Sequence, residues 1–442
     1  MPTNAWASRA PDFASVILEE SHDIPNVDLS VVLLSGSAAD PAGKWGLSRF
    51  TAEMLLRGTK TRDNVKLAVE LDQLGSELSV APGTDSLSLS GETLTRNLDA
   101  FLTIVADVVT NPAFDLKEFD KLKALTLDQL KQANEDDQGL ARRKMREFAD
   151  AGHPYGHDSR GTVATVSTFT LDDVKKFYEK HWVAGNIVIG AGGDLDKKEL
   201  GIALGVHFAA VRPGPRTGPV SFQDPPRPKG RQFLLVDKPE RNQAQIYFAL
   251  PGIPAKHSDA FSLMLANEVL GGGRFSTVLM REVRVKRGLS YGAYSFLTRR
   301  HGADMIGVWV FPESKKVIET LELIFKLSSD HATTGFAQAD FDDAKSYLVK
   351  KYPFLIDTAQ KRMSQRLEVY TLGLPDDYVS TYRANLERVT REDAMKAAKK
   401  YFTPDNVFIA IVCTASGLKD AVAKLPGVTS VEVKAFDQDP AL

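Results

Sequence analysis

Two stretches of the chain hold residues whose types and spacing bear on chemistry. The first is Gly46–Thr59, GLSRFTAEMLLRGT. Leu47, Phe50, Met54 and, less squarely, Leu55 recur at helical spacing and predict an amphipathic helix. Gly58 ends it as the residue just past its C-terminus. Arg49, Ala52 and Glu53 stand at i, i+3 and i+4, so they share one helical face. The second stretch is Gly271–Tyr291, GGGRFSTVLMREVRVKRGLSY, with Arg284 and Tyr291 near its end. A guanidinium and a phenol are both hydrogen-bond donors, and preorganised donors stabilise developing negative charge without a metal. By residue type alone, Arg284 reads equally as a solvated helix residue among Arg281, Lys286 and Arg287, and Tyr291 as a strand-core aromatic. Gly271–Gly273 is a turn rather than a phosphate loop, because it follows a helix and lacks a Gly-Lys-Ser/Thr ending.

Elsewhere the chemical inventory is thin. The one cysteine, Cys413, sits in an apolar run and reads as core packing, which excludes a disulfide framework and any cysteine-based zinc site. Of the eight histidines only His153 and His157 are close in sequence, and Pro154 and Gly156 between them break helical geometry, so both read as loop or surface residues. No nucleophile elbow or Ser/His/Asp constellation can be placed.

These residues must be positioned by a chain of 442 residues, too long for one ordinary core. It is 43% hydrophobic and 25% charged, with a formal net charge of −2, which describes a globular protein and argues against a nucleic-acid surface. No apolar run is long enough to span a bilayer, and Met1–Asp12 does not read as a signal peptide. The segment Val211–Gly230 holds six prolines in twenty residues and reads as a stiff, extended linker. The two halves it separates match. Thr170-Leu171-Asp172-Asp173 opens a helix that leads through Asn186 into the strand Ile187–Ala191. Thr390-Arg391-Glu392-Asp393 opens another that leads through Asn406 into Val407–Val412, 220 residues later. Phe119-Asp120-Lys121 recurs as Phe341-Asp342-Asp343. A matched helix–loop–strand unit with shared caps and spacing indicates tandem duplication.

Each half begins with strands, including a hairpin of Glu77–Val80 and Leu87–Ser90 about Pro82-Gly83-Thr84-Asp85. Helical runs fill the intervals. The fold class is therefore α+β. Three units are expected: a domain over 1–210, the linker over 211–230, and a second domain over 231–442.

The first stretch resembles the signature helix of the pitrilysin-like M16 metallopeptidases, G-L-x-H-x-x-E-H-M-x-x-x-G-T. There the His-x-x-Glu-His motif sets two zinc ligands and a general base on one helical face. Gly46-Leu47, Met54 and Gly58-Thr59 keep the frame. The functional positions do not survive: the two histidines correspond to Arg49 and Glu53, the glutamate to Ala52, and the third ligand, a glutamate on a later helix, to Gln129. A zinc site with three protein ligands needs anionic or imidazole donors, whereas a guanidinium repels the metal and a methyl takes no proton from water. His153-Pro154-Tyr155-Gly156 with Gly161-Thr162, and Asn111-Pro112-Ala113-Phe114, resemble further family segments, so the likeness covers nearly the whole chain.

The second stretch resembles the family's G-G-G-x-x-S segment followed by an Arg and a Tyr seven residues apart. In the family that pair holds the substrate backbone and the oxyanion. The resemblance implies a tandem M16/LuxS-like metallohydrolase-type fold, each domain a mainly antiparallel sheet with helices layered on one face. It also implies a chain that has lost its zinc and kept Arg284 and Tyr291. The expectation is a noncatalytic subunit with no cofactor of its own, pairing with a zinc-bearing M16 subunit and acting on its site in trans. Peptide would add as a strand near Glu77–Val80 and Leu87–Ser90. The rival is a peptide-binding or scaffold self-dimer. Resemblance also suggests the periplasm, with the cytoplasm as alternative.

Overall fold

The computed structural model describes residues 11–220 and 222–439. The segment on which the signal-peptide reading rests lies almost wholly outside them. The first sheet is built from β1 (Ser15–Glu20), β2 (Asn26–Leu33), β3 (Glu77–Ala81), β4 (Leu87–Leu94) and β5 (Ile187–Gly193). Its strand order is β1-β5-β2-β4-β3, with only β1·β5 parallel. The second sheet contains β6 (Arg231–Asp237), β7 (Gln245–Pro251), β8 (Ser290–Leu297), β9 (Met305–Pro312), β10 (Val407–Cys413) and β11 (Val428–Ala435). Its order is β11-β6-β10-β7-β9-β8. Omitting β11, a strand the sequence reading had not assigned, the two orders coincide strand for strand.

The first half carries helices α1 (Leu47–Leu55), α2 (Asn64–Leu74), α3 (Leu98–Thr110), α4 (Leu116–Gln132), α5 (Asp137–Ala149), α6 (Val163–Ser167), α7 (Leu171–His181) and α8 (Lys197–His207). The second carries α9 (Ala260–Gly271), α10 (Val317–Thr333), α11 (Gln338–Lys351), α12 (Ala359–Leu372), α13 (Tyr378–Arg388), α14 (Arg391–Tyr401) and α15 (Leu418–Ala423). The repeated cap is real at atomic detail. Thr170 and Thr390 Oγ1 accept from the backbone N–H of Asp173 and Asp393, and the aspartate carboxylates accept from the threonine backbone N–H, so α7 and α14 start on the same capping box. The repeated asparagine has a shared task too. Asn186 Oδ1 accepts the backbone N–H groups of Thr217 and Gly218, and Asn406 Oδ1 accepts that of Gly230. Each receives a segment of the proline-rich connection, which is pinned against the first half.

Period-2 patterning sorts the sheet faces. On β2, Val27, Leu29, Val31 and Leu33 enter the core beneath α2, α3 and α8, while Asp28, Ser30 and Val32 point the other way. The second half buries Phe233, Ile246, Phe248, Ile306, Val308 and Val310 against its own helices in the same manner. The expectation of helices on one face holds for each half's own helices. The opposite faces are not bare, because each takes a helix from the other half. Leu140, Ala141 and Met145 of α5 pack on Leu234, Tyr247, Phe408 and Ala410 of the second sheet. Met363 and Leu367 of α12 pack on Ile17, Val32 and Val188 of the first. Glycine in β5 permits this: a Cβ at Gly190 would lie 2.7 Å from Leu367 Cδ1, and one at Gly192 2.9 Å from the carbonyl oxygen of Ala359. This exchange makes the two halves mutually dependent.

Candidate functional site

The first half builds the helix face that was singled out, and fills it. α1 buries Leu47, Phe50, Met54 and Leu55, as its periodicity requires. Arg49 and Glu53 emerge on the other side and close on each other, Arg49 Nε donating to Glu53 Oε1 at 2.7 Å. Gln129 reaches the same place from α4: it lines a cavity of about 370 Å³ together with Arg49, Glu53 and Leu78–Val80 of β3. Ala52 lies one step inward, fully buried in the core. These residues do not fit zinc. The single carboxylate is held by a cation, the base position is a buried methyl, and the third position is a neutral amide. Among the described residues, no group of three or more His, Cys, Asp and Glu side chains could hold a metal ion. His157 is a loop residue, but a buried one. It stacks on Trp45 and bonds the carbonyl of Ser37 through Nε2. β3 is the free edge of its sheet, whereas β4 is paired on both sides, so Leu87–Ser90 offers no backbone for strand addition.

The second half presents the Arg284/Tyr291 pair openly. α9 ends at Gly271, where the backbone of β8 comes close: a Cβ on Gly271 would lie 2.5 Å from Ser295 N. The chain then forms a π-helical turn, Met280–Val285, which carries Arg284. Tyr291 follows on β8 at a bulge, where Ser290 pairs with Pro312 and the next pairing is Ala293 with Val310. Ser290 Oγ stabilises that bulge by donating to Gly292 O and accepting from Phe311 N. A bulge re-aims the local side chains, and Tyr291 is 72% exposed, not a core aromatic.

Arg284 Cζ lies 3.9 Å from the centroid of the Tyr291 ring and 4.6 Å from that of Phe275, which is itself 63% exposed. The surrounding cations are all neutralised: Arg281 by Asp340, Lys286 and Arg287 by Glu282, and Arg274 by Glu268 and Asp343. The Lys286 and Arg287 bonds hold the Glu282 carboxyl below the usual carboxylate range. Among the described residues Arg284 alone in this cluster has no carboxylate. Its planar cation lies against aromatic faces and keeps its N–H donors uncommitted. Phe275 was missed by sequence reasoning. Its signal was an aromatic side chain in a Gly-rich turn, where no core position calls for one.

A further feature was invisible in the sequence. Cross-strand register sets Asp28 of β2 opposite Glu92 of β4, and Glu92 opposite Glu77 of β3. Directly opposed like charges destabilise a sheet. Burial, with the Glu92 charge second, pushes the Asp28 carboxyl up to about 6. The folded value thus exceeds the unfolded one, so the native state binds the extra proton. Stability is lost as pH rises from about 4 to about 6. Asp28→Asn is expected to stabilise the protein at pH 7 by about 1–2 kcal/mol, allowing for the solvent that still reaches the carboxyl, and to change little at pH 4. Urea unfolding at the two pH values checks this; equal gains at both would contradict it.

Comparison with known proteins agrees with this geometry. Residues 15–162 match the family described as Insulinase (Peptidase family M16), and residues 168–348 match the Peptidase M16 inactive domain. The chain belongs to the M16 peptidase family. Within it, the chain is 25% identical to the "Non-peptidase homolog YmxG" of Helicobacter pylori over 90% of its own length and 91% of that protein's. It is 21% identical to the "Uncharacterized zinc protease YmxG" of Bacillus subtilis over 88% and 94%. The crystal structure of an M16 inactive domain from Pseudomonas fluorescens superposes with a TM-score of 0.85 at 25% identity, covering 98% of both chains. A chain of Candida albicans complex III shares the fold, with a TM-score of 0.75 at 16% identity over 91% and 94%. M16 relatives thus carry both peptidase and non-peptidase names. By these likenesses the chain is an inactive M16-family protein. No helix among the described residues is long and apolar enough to cross a membrane.

Proposed function

We infer that the protein is the noncatalytic subunit of a two-chain M16 peptidase and lends Arg284 and Tyr291 to a zinc site on its partner. One observation carries the reading: a half-buried, unneutralised guanidinium stacked on an exposed phenol, in a chain whose own zinc positions hold an Arg49–Glu53 ion pair. Two such donors suit the carbonyl oxygen of a peptide and the charge that develops on it during hydrolysis. The free edge of β3, which runs beside Arg49, Glu53 and Gln129, suits an extended peptide added by backbone hydrogen bonds.

The test is reconstitution. The purified protein is expected to bind no zinc in a metal analysis and to cleave no unstructured peptide. Mixed with an M16 chain that has an intact His-x-x-Glu-His motif, it is expected to form a heterodimer and release peptidase activity that neither chain shows alone. A stable self-dimer that ignores every zinc-bearing M16 chain would replace this reading with a scaffold role.

A further inference from the structure

The duplication allows the two sheets to be compared position by position. Both run in the same strand order, and their registers align Gly190 of β5 with Ala410 of β10. The row crossing the first sheet at that level is Ser30–Ser90–Ser79, on β2, β4 and β3. The corresponding row of the second sheet is Tyr247–Trp309–Tyr294, on β7, β9 and β8. The same fold is therefore built with three serines in one copy and three large aromatics in the other. The shared sheet topology alone does not demand aromatics in that row.

The three rings stack as a ladder. Tyr247 and Trp309 lie 6.0 Å apart with planes 19° off parallel, and Tyr294 and Trp309 lie 5.3 Å apart at 23°. The Trp309 Nε1–H is satisfied by Gln245 Oε1, which leaves the ring face as its apolar surface. Together with Phe296 and with Met145 of α5, the ladder lines a cavity of about 290 Å³. A cavity of roughly 150 Å³ suffices for a benzene ring, so this one has room for a single large aromatic side chain. Two guanidinium groups stand at its wall. Arg146 is spent on Asp150 and Asp304, whereas Arg142 is exposed and pairs with no carboxylate among the described residues. Aromatic cages also attract ammonium groups, but the unpaired Arg142 in the lining disfavours a cationic ligand and favours an anionic one.

We propose that this cavity binds an aromatic group bearing a carboxylate, the ring lying on the Tyr247–Trp309–Tyr294 ladder and the carboxylate meeting Arg142. That chemistry is shared by a free aromatic acid and by the C-terminal residue of a peptide. The site stands apart from the Arg284/Tyr291 pair and does not depend on the heterodimer reading.

The test needs no partner. N-acetylphenylalanine, N-acetylalanine and N-acetylphenylalaninamide are titrated into the full-length protein by calorimetry, with tryptophan fluorescence recorded in parallel. N-acetylphenylalanine is expected to bind at least about 10-fold more tightly than the alanine compound, which lacks the ring, and about 10-fold more tightly than the amide, which lacks the charge-assisted bond. Arg142→Glu, a surface change that leaves the core intact, is expected to abolish the preference of acid over amide. Trp309→Phe is expected to remove the fluorescence response, and Tyr294→Ala to weaken binding about 10-fold. Ala-Ala-Ala-Phe with a free terminus separates the sources: tighter binding than N-acetylphenylalanine assigns the site to peptide C-termini, and its exclusion assigns it to small aromatic acids. Equal affinity for the phenylalanine and alanine acids overturns the proposal. So does unchanged N-acetylphenylalanine binding in Arg142→Glu or in Tyr294→Ala.

Discussion

Arg284→Ala is expected to lower the peptidase activity of the reconstituted heterodimer by about 100-fold or more, the cost of removing one preorganised oxyanion donor. The loss should fall on kcat rather than on KM, because the donors act most strongly on charge that develops in the transition state. Assembly and the zinc content of the partner should be unchanged, since Arg284 makes no ion pair with the described residues and its removal leaves no carboxylate orphaned. Arg284→Lys should recover little: an ammonium neither stacks flat between Phe275 and Tyr291 nor presents a planar fork of donors. Tyr291→Phe keeps the stacking face and loses only the hydroxyl, so its smaller effect separates positioning from donation. A merely solvated arginine predicts a change of no more than about 0.5 kcal/mol. Steady-state kinetics on a fluorogenic peptide distinguishes the two; an Arg284→Ala heterodimer with full kcat removes the in-trans role.

The readable part of this protein was whatever local physics repeats. The capping boxes at Thr170 and Thr390, the strand runs behind Asn186 and Asn406, and the periodicity of Leu47, Phe50 and Met54 all follow from nearest-neighbour chemistry, and the structure forms them in place. The shared helical face of Arg49 and Glu53 was also readable, because it follows from the period of α1. The exchange of α5 and α12 was not. An amphipathic stripe such as Leu140, Ala141 and Met145 declares that something will cover it, but not which half of the chain supplies the cover. Residues that became interesting through register stayed hidden for the same reason. Asp28, Glu92 and Glu77 are far apart in sequence and meet only across three strands. Tyr247, Trp309 and Tyr294 read as ordinary strand aromatics until their pairing is known. Tyr291 was legible as a candidate but not as exposed, because the bulge that turns it outward depends on Ser290 Oγ bridging Gly292 and Phe311.

Because the halves cover each other's sheets, the ion pair that fastens α5 should matter more to stability than surface pairs do. Asp304 lies between β8 and β9, its side chain wholly buried, and accepts from Arg146 of α5 at 2.9 Å and from Arg300. Burial works against its charge, but Arg146 and Arg300 outweigh it and hold the carboxyl below the usual range. Asp150 is the other carboxyl on Arg146. Burial, with Asp304 adding to it against the pull of Arg146, pushes Asp150 up to about 7. Below that pH, one arginine thus serves one full charge and one largely protonated acid. Asp304→Ala is expected to cost about 3–5 kcal/mol, the penalty for leaving a buried cation without its partner, out of a total of about 5–15 kcal/mol for a folded protein. The sign of the pH dependence follows. Wild-type Asp150 holds an extra proton in the folded state up to about pH 7, so the wild type loses stability as pH rises from 5.5 to 7.5. With Asp304 gone, Asp150 loses a neighbour that raised it, and that loss is smaller. The deficit of Asp304→Ala relative to wild type should therefore be larger at pH 5.5 than at pH 7.5, and Asp150→Asn placed in both proteins should remove that difference. Denaturant unfolding of the four proteins at both pH values measures it. A deficit below about 1 kcal/mol at both would mean that apolar contacts of Leu140, Met145 and Ala149, not this ion pair, fasten α5.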